Sequence, residues 1–243
     1  MAVIQSLAGV PKPAAFSHFT GSGTATVDAT NNIIDGGWGL IGVNEGSLSY
    51  LTDEPNGVLQ ITNDTADNDN HALVAGMWQP QHGNMVMEAR LKVDNVSDLA
   101  IFVGFTETLA IATPVMPAEF ATTTMTYNGT GGMVGLQFDS DGTTDIWRSV
   151  FGDGGAIASG ATAGGVSGKR APVANVYDIV TCEIDADGSG RVYLNGVLVE
   201  SVANAVTVTD NFFACVMVEN RAASAAVWEV DYALARGGAD YED

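Results

Sequence analysis

The chain has 243 residues, 29 of them glycine, and sets nine Lys and Arg against 29 Asp and Glu for a formal net charge of −20. Such a surface repels phosphate, and its largest basic cluster is the pair Lys169–Arg170, so neither nucleic acid nor an acidic membrane leaflet is expected as a partner. One β-sandwich of this length buries a substantial core without metal or disulfide, and Lys and Glu are too sparse to build surface helices.

The short apolar patch in Met1–Gly9 has no basic residue ahead of it, and the first positive charge is Lys12. A secretory signal is therefore not expected, and a cytoplasmic site of synthesis is. With Pro11, Pro13 and little periodicity, residues 1–35 read as an extended arm leading into the first strands, and 36–243 as one domain. Nothing approaches the ~18 uninterrupted apolar residues of a membrane span.

Val58–Thr62 is the first clear strand, followed by the acidic loop Asn63–Asn70 and the strand Ala72–Trp78. Met85, Met87, Ala89, Leu91 and Val93 alternate with Val86, Glu88, Arg90 and Lys92, which predicts a strand with one buried face. Leu99–Phe105 is apolar on both faces and predicts a central strand covered on both sides. Glu107–Gly132 reads as a long irregular stretch, with room for a short helix around Pro117–Phe120. Met133–Phe138 and Ile146–Val150 are strands joined by the turn Asp139–Asp145. Phe151–Val176 is a second long loop, and its part Ala156–Gly168 carries no charge.

Val180, Cys182 and Ile184 then alternate with Thr181, Glu183 and Asp185. Arg191–Val202 reads as a hairpin about Asn195-Gly196, a pair that accepts the positive φ of a type I′ turn. Phe212–Val218 and Val227–Leu234 close the series, with Trp228, Val230, Tyr232 and Leu234 expected on one face. Cys182 and Cys215 lie inside apolar strand runs and read as buried free thiols. The fold expected from these pieces is all-β, a two-sheet antiparallel jelly-roll sandwich.

The strand–Asn-Gly–strand unit "GRVYLNGVLV", the preceding "YDIVTCEID", the earlier "GNMVMEARLKV" and the closing "WEVDYALARGG" resemble the concanavalin A-like lectin/glucanase superfamily in its laminin-G-like form, over residues 58–236. At a looser level "PNGVLQIT", "DLAIFVGFTETLAI", "TPVMPAEF" and "GGMVGLQFDSDGTTD" resemble phage structural proteins of that fold. That second resemblance implies a virion structural protein, specifically a capsid decoration (cement) protein. It would sit on the capsid exterior and contact the major capsid protein and copies of itself, after synthesis in the host cytoplasm. The alternative is a carbohydrate- or receptor-binding module on the same sandwich.

The assembly reading places partner contacts on the arm, through Val3, Ile4, Leu7 and Val10, and on the uncharged loop, through Ile157. For calcium, Asp139, Asp141 and Asp145 bunch around one Gly, and Asp185 and Asp187 around another; the same strings are also ordinary β-turn chemistry. For a glycan, Trp78 and Trp147 sit at strand ends near loops. Catalysis is not expected. Glu183-Ile-Asp185-Ala-Asp187 is similar to the glucanase strand motif, but Asp187 replaces its final Glu and falls in a turn. His18, His71 and His82 are scattered, and no Gly-x-Ser-x-Gly elbow is present.

Overall fold

The structure, a computed structural model, describes residues 14–19, 24–27, 37–51, 57–109, 114–158 and 170–237. Its strands are β1 Ala14–His18, β2 Thr24–Val27, β3 Trp38–Gly42, β4 Gly46–Leu51, β5 Val58–Thr62, β6 Asn70–Trp78, β7 Met85–Val93, β8 Leu99–Thr106, β9 Ala118–Ala121 and β10 Thr124–Tyr127. They continue as β11 Met133–Asp139, β12 Arg148–Asp153, β13 Ala156–Ile157, β14 Asp178–Ile184, β15 Gly190–Leu194, β16 Val197–Val202, β17 Phe212–Asn220 and β18 Val227–Arg236. Among the described residues no helix is long and apolar enough to cross a membrane.

Two large antiparallel sheets face each other across one core. The nine-stranded sheet runs β16-β15-β14-β7-β18-β5-β4-β2, with β1 also paired to β18. The seven-stranded sheet runs β13-β12-β11-β8-β17-β6-β3. Met85, Met87, Ala89, Leu91 and Val93 bury the inner face of β7 as the alternation predicts, against Ile101, Val103, Phe105, Val134, Leu136 and Phe138 of the opposite sheet. Cys182 and Cys215 are buried free thiols.

Both faces of β8 are buried because a second apolar cluster lies outside the seven-stranded sheet. Ala100 and Phe102 of β8, Met133 of β11, Val150 of β12, and Cys215 and Met217 of β17 form its floor, and Met116 and Ala118 lie over them. The segment expected to hold a short helix at Pro117–Phe120 is instead the strand β9, paired with β10. Its backbone groups are held extended by β10 and by side chains of β11: Gln137 donates to the Ala118 carbonyl, and the Phe120 N–H donates to Asp139.

Three further expectations are revised. The arm does not give way to the sandwich at residue 35. Residues Ala14–His18 already pair with Tyr232–Arg236 of β18, Thr24–Val27 pair with β4, and Phe19 is fully buried in the core. In β18 a register shift between Val230 and Tyr232 reverses the alternation, so Ala233 and Ala235 are buried while Tyr232 and Leu234 are only half-buried. One extra residue in a period-2 pattern moves every later side chain to the other face. β12 and β13 extend order through Ile157, inside the stretch read as loop.

Asn195 (φ 51°) and Gly196 (φ 77°) form the two-residue turn of the β15–β16 hairpin. The position of a Cβ on Gly196 is open space, so Gly196→Val is opposed by the backbone alone. It is expected to lower stability by about 1–2 kcal/mol, read as a lower urea midpoint at unchanged slope.

Candidate functional site

The end of the sandwich where β17 passes into Arg221 holds the most buried charge. Arg221 sends Nε and Nη2 to the two oxygens of Asp139 (3.1 and 2.7 Å) and Nη1 to Glu219 Oε1 (2.6 Å). Asn70 Nδ2 donates to Glu219 Oε2 (3.0 Å) and to the Pro114 carbonyl (2.9 Å). Burial pushes the Glu219 carboxyl up to about 7, against the opposing pull of Arg221 and of the Asn70 hydrogen bond.

Between the sheets at the same end, Asn63 Nδ2 donates to the carbonyls of Asp69 (3.3 Å) and Val218 (3.0 Å) and to Asn220 Oδ1 (3.2 Å). That fixes the amide, so Asn63 Oδ1 accepts from Trp228 Nε1 (3.1 Å) and from His71 Nδ1 (3.2 Å), which therefore carries the proton. A Cβ on Gly42 would lie 2.3 Å from the His71 ring, so only glycine admits the imidazole there. Asp69 accepts from the backbone N–H of Asn44 (3.2 Å) and Asp64 (2.7 Å), and this shapes the acidic loop. These groups serve one another and hold the fold together.

At the opposite end two connections meet: Gln79–Asn84 after β6, and Ala203–Asn211 after β16. The Gln81 N–H donates to the Val208 carbonyl (3.0 Å), which docks one connection on the other. Gln79 Nε2 donates to the Thr209 carbonyl (2.9 Å) and Asn211 Oδ1 (3.0 Å), and Gln81 Nε2 to Gln79 Oε1 (2.7 Å). Gln81 and Asn211 are exposed, as are Met77, His82 and Thr209 of the same two connections and the strand end before them. Trp78 is half-buried, packed against the core at this rim with its ring on the backbone of Gly76 and Gly237.

The calcium readings of the two Asp-Gly loops give way to side-chain pairing and turn chemistry. Both oxygens of Asp139 are taken by Arg221 and also accept from the N–H groups of Phe120 (2.8 Å) and Asp141 (3.1 Å). Burial and the Asp139 charge push the Asp141 carboxyl upward, and Asp145 is exposed. Arg191 grips both oxygens of Asp185 at 2.6 Å, while Asp187 Oδ1 accepts from the Ser189 N–H (2.9 Å), the main cause that holds its carboxyl low. Among the described residues no three His, Cys, Asp or Glu gather where they would hold a metal.

The glucanase-like pair meets the same cation. Arg191 Nε donates to Glu183 Oε2 (2.8 Å), and Tyr193 donates to the same oxygen (3.1 Å), so Glu183 and Asp185 share one guanidinium on the outer face of the nine-stranded sheet. Trp147 is no platform. It is buried, edge-on to Phe138, and its Nε1 donates to Asp178 (3.1 Å). Of the partner-contact residues, Ile157 is exposed, and Val3, Ile4, Leu7 and Val10 lie outside the described residues. The Gln79–Gln81–Asn211 chain was missed because its members are ordinary loop amides, with Asn211 132 residues beyond Gln79 and no motif to join them.

No protein-family model matches the chain, and no curated protein matches it. Solved structures do. The carbohydrate recognition domain of Emp47p superposes with a TM-score of 0.54 at 11% identity, covering 92% of this chain and 97% of that one. A protein of unknown function from Shewanella oneidensis MR-1 gives 0.54 at 14% identity, covering 97% and 88%. The kappa-carrageenase from Pseudoalteromonas carrageenovora, in complex with an oligotetrasaccharide of kappa-carrageenan, gives 0.51 at 11% identity, covering 96% and 98%. The chain thus has the jelly-roll fold of the concanavalin A-like lectins and glucanases.

Proposed function

We propose that the chain is a carbohydrate-binding module whose ligand site is the rim formed by Met77, Trp78, Gln79, Gln81 and Asn211. The observation that carries this reading is the chain of exposed side-chain amides beside a half-buried Trp. Planar amides held by one another present donors and acceptors at fixed angles, suited to neighbouring sugar hydroxyls, and Met77 and Trp78 supply apolar surface for a ring face. Support also comes from the company the fold keeps, a carbohydrate recognition domain and a carrageenase with its oligosaccharide. Binding is favoured over hydrolysis because Arg191 ties up both carboxylates, Glu183 and Asp185, in ion pairs. Titrating a panel of β-glucans, agars and carrageenans is expected to give a saturable ligand. Asn211→Ala and Gln81→Ala, both on exposed side chains, should each weaken it about 5–10-fold with the melting temperature unchanged. A panel with no ligand, or binding indifferent to both changes, refutes the rim.

A second reading, decoration of a capsid shell in contact with the major capsid protein and with copies of itself, draws on exposed apolar side chains. Val197 and Leu198 on the edge strand β16, with Ile157, Val173 and Val176, have the character of a contact surface. Purified particles carrying the protein at high copy number on the head would favour it. Recovery only as a free protein or at a tail tip would count against it.

A further inference from the structure

We propose that residues 114–128 form a proton-dependent cover, held against the outer face of the seven-stranded sheet while Glu219 carries its proton and released from it when Glu219 ionises. The cover is tied down by polar contacts at both ends and along its middle. The Pro114 carbonyl accepts from Asn70, the Ala118 carbonyl from Gln137, and the Phe120 N–H donates to Asp139 Oδ2 (2.8 Å). Thr122 donates to the Asp141 carbonyl (2.9 Å), and Tyr127 Oη donates to the Phe151 carbonyl (3.0 Å). Beneath lie Phe102, Met133 and Met217, none of which touches water.

Two independent features couple this closure to one proton. The first is charge. Glu219 on β17 faces Arg221 at the end of its own strand, Asp139 on β11 and Glu119 on β9, with Asp141 and Asp67 at the margin of the cluster. Once Glu219 ionises, Arg221 alone confronts three carboxylates, and one of them, Glu119 at 3.8 Å, rides on the cover. The second is an orphaned acceptor. Asn70 is buried and its Oδ1 has no hydrogen-bond partner among the described residues. The same amide reaches Glu219 Oε2 through Nδ2 (3.0 Å), and a neutral carboxyl brings to this dry cluster an O–H donor that a carboxylate lacks. Lifting the cover gives both groups to water. The closed form therefore holds the proton more tightly than the open one, and raising the pH favours opening.

Amide hydrogen exchange of the full chain between pH 5.5 and 8, corrected for the intrinsic rate, tests this. The amides of Phe120 and Thr122, which bond across to Asp139 and Asp141, should lose protection by about 10–100-fold across that range, while those of β7 and β14 do not. Glu219→Gln, a fixed mimic of the neutral acid, should keep the cover protected at every pH. A flat wild-type profile, or a Glu219→Gln profile as steep as wild type, overturns the proposal. Should that variant fail to fold, carboxyl NMR on the wild type decides. The exchange midpoint must coincide with the Glu219 titration, and a separate midpoint overturns it equally.

Discussion

Arg221→Ala is expected to lower the stability of the fold by about 3–5 kcal/mol, read as a fall in the urea midpoint. The guanidinium is 6% exposed, and its two tightest partners, Asp139 and Glu219, are 1% and 3% exposed at their side chains. Taking it away leaves the Asp139 carboxylate out of water with no cation and the Glu219 carboxyl without its Arg221 donor, and that desolvation sets the size of the effect more than the lost hydrogen bonds do. Arg221→Lys keeps the charge but not the planar fork that reaches both oxygens of Asp139, and should fall between. Arg191 is the control. It makes contacts of similar length to Glu183 and Asp185, yet its side chain is 31% exposed and solvent screens the pair, so Arg191→Ala should cost no more than about 1 kcal/mol. Equal losses at the two arginines would show that burial is not what distinguishes them.

Stability of the wild-type chain should fall as pH rises from about 5 to 7, and Glu219→Gln should remove much of that fall. The folded-state carboxyl sits at about 7 against an ordinary 4.5, so between those values the unfolded chain has already given up a proton that the folded chain keeps. The unfolded state then binds fewer protons, and the slope of stability with pH is negative in that window. At pH 7 the loss is about 3 kcal/mol, full stability from this group being present below pH 4.5. The remaining acidic load of a chain at −20 acts on both proteins alike, so the difference between the two profiles isolates Glu219. Superimposable profiles for wild type and variant would remove the proton from the account.

What was legible in the sequence was whatever repeats every second residue. β7 shows its buried face in the alternation of Met85 to Val93, and the Asn195-Gly196 pair announces its turn, because both rest on neighbours in the chain. The interior of β8 was readable as doubly covered, but what covers it was not. Ala118–Ala121 carries no strand pattern of its own, and it is extended because β10, Gln137 and Asp139 take its backbone groups. Asp231 breaks the period of β18 with no glycine or proline to mark it. The charged site was hidden for a different reason. Arg221 and Asp139 are 82 residues apart, and Asp139 in its Asp-Gly string is indistinguishable by composition from a turn or a cation loop. Burial decides between them, and burial is a property of the whole fold.

The position of β18 governs when this protein is able to fold. It lies in the interior of the nine-stranded sheet, between β7 on one side and β5 and β1 on the other, yet among the described residues it is the last strand in chain order. A ribosome working from the N-terminus therefore delivers both flanks before the strand that joins them. Until Val227–Arg236 has left the exit tunnel, β7 and β5 each present an open edge and the core lacks Trp228 and Val230. The sheet closes over sequence separations of more than a hundred residues, so collapse waits on β18 and is slow for a chain of this size. In that interval the heavy negative charge has a second use, since nascent chains with unpaired strands repel one another before they can pair in error.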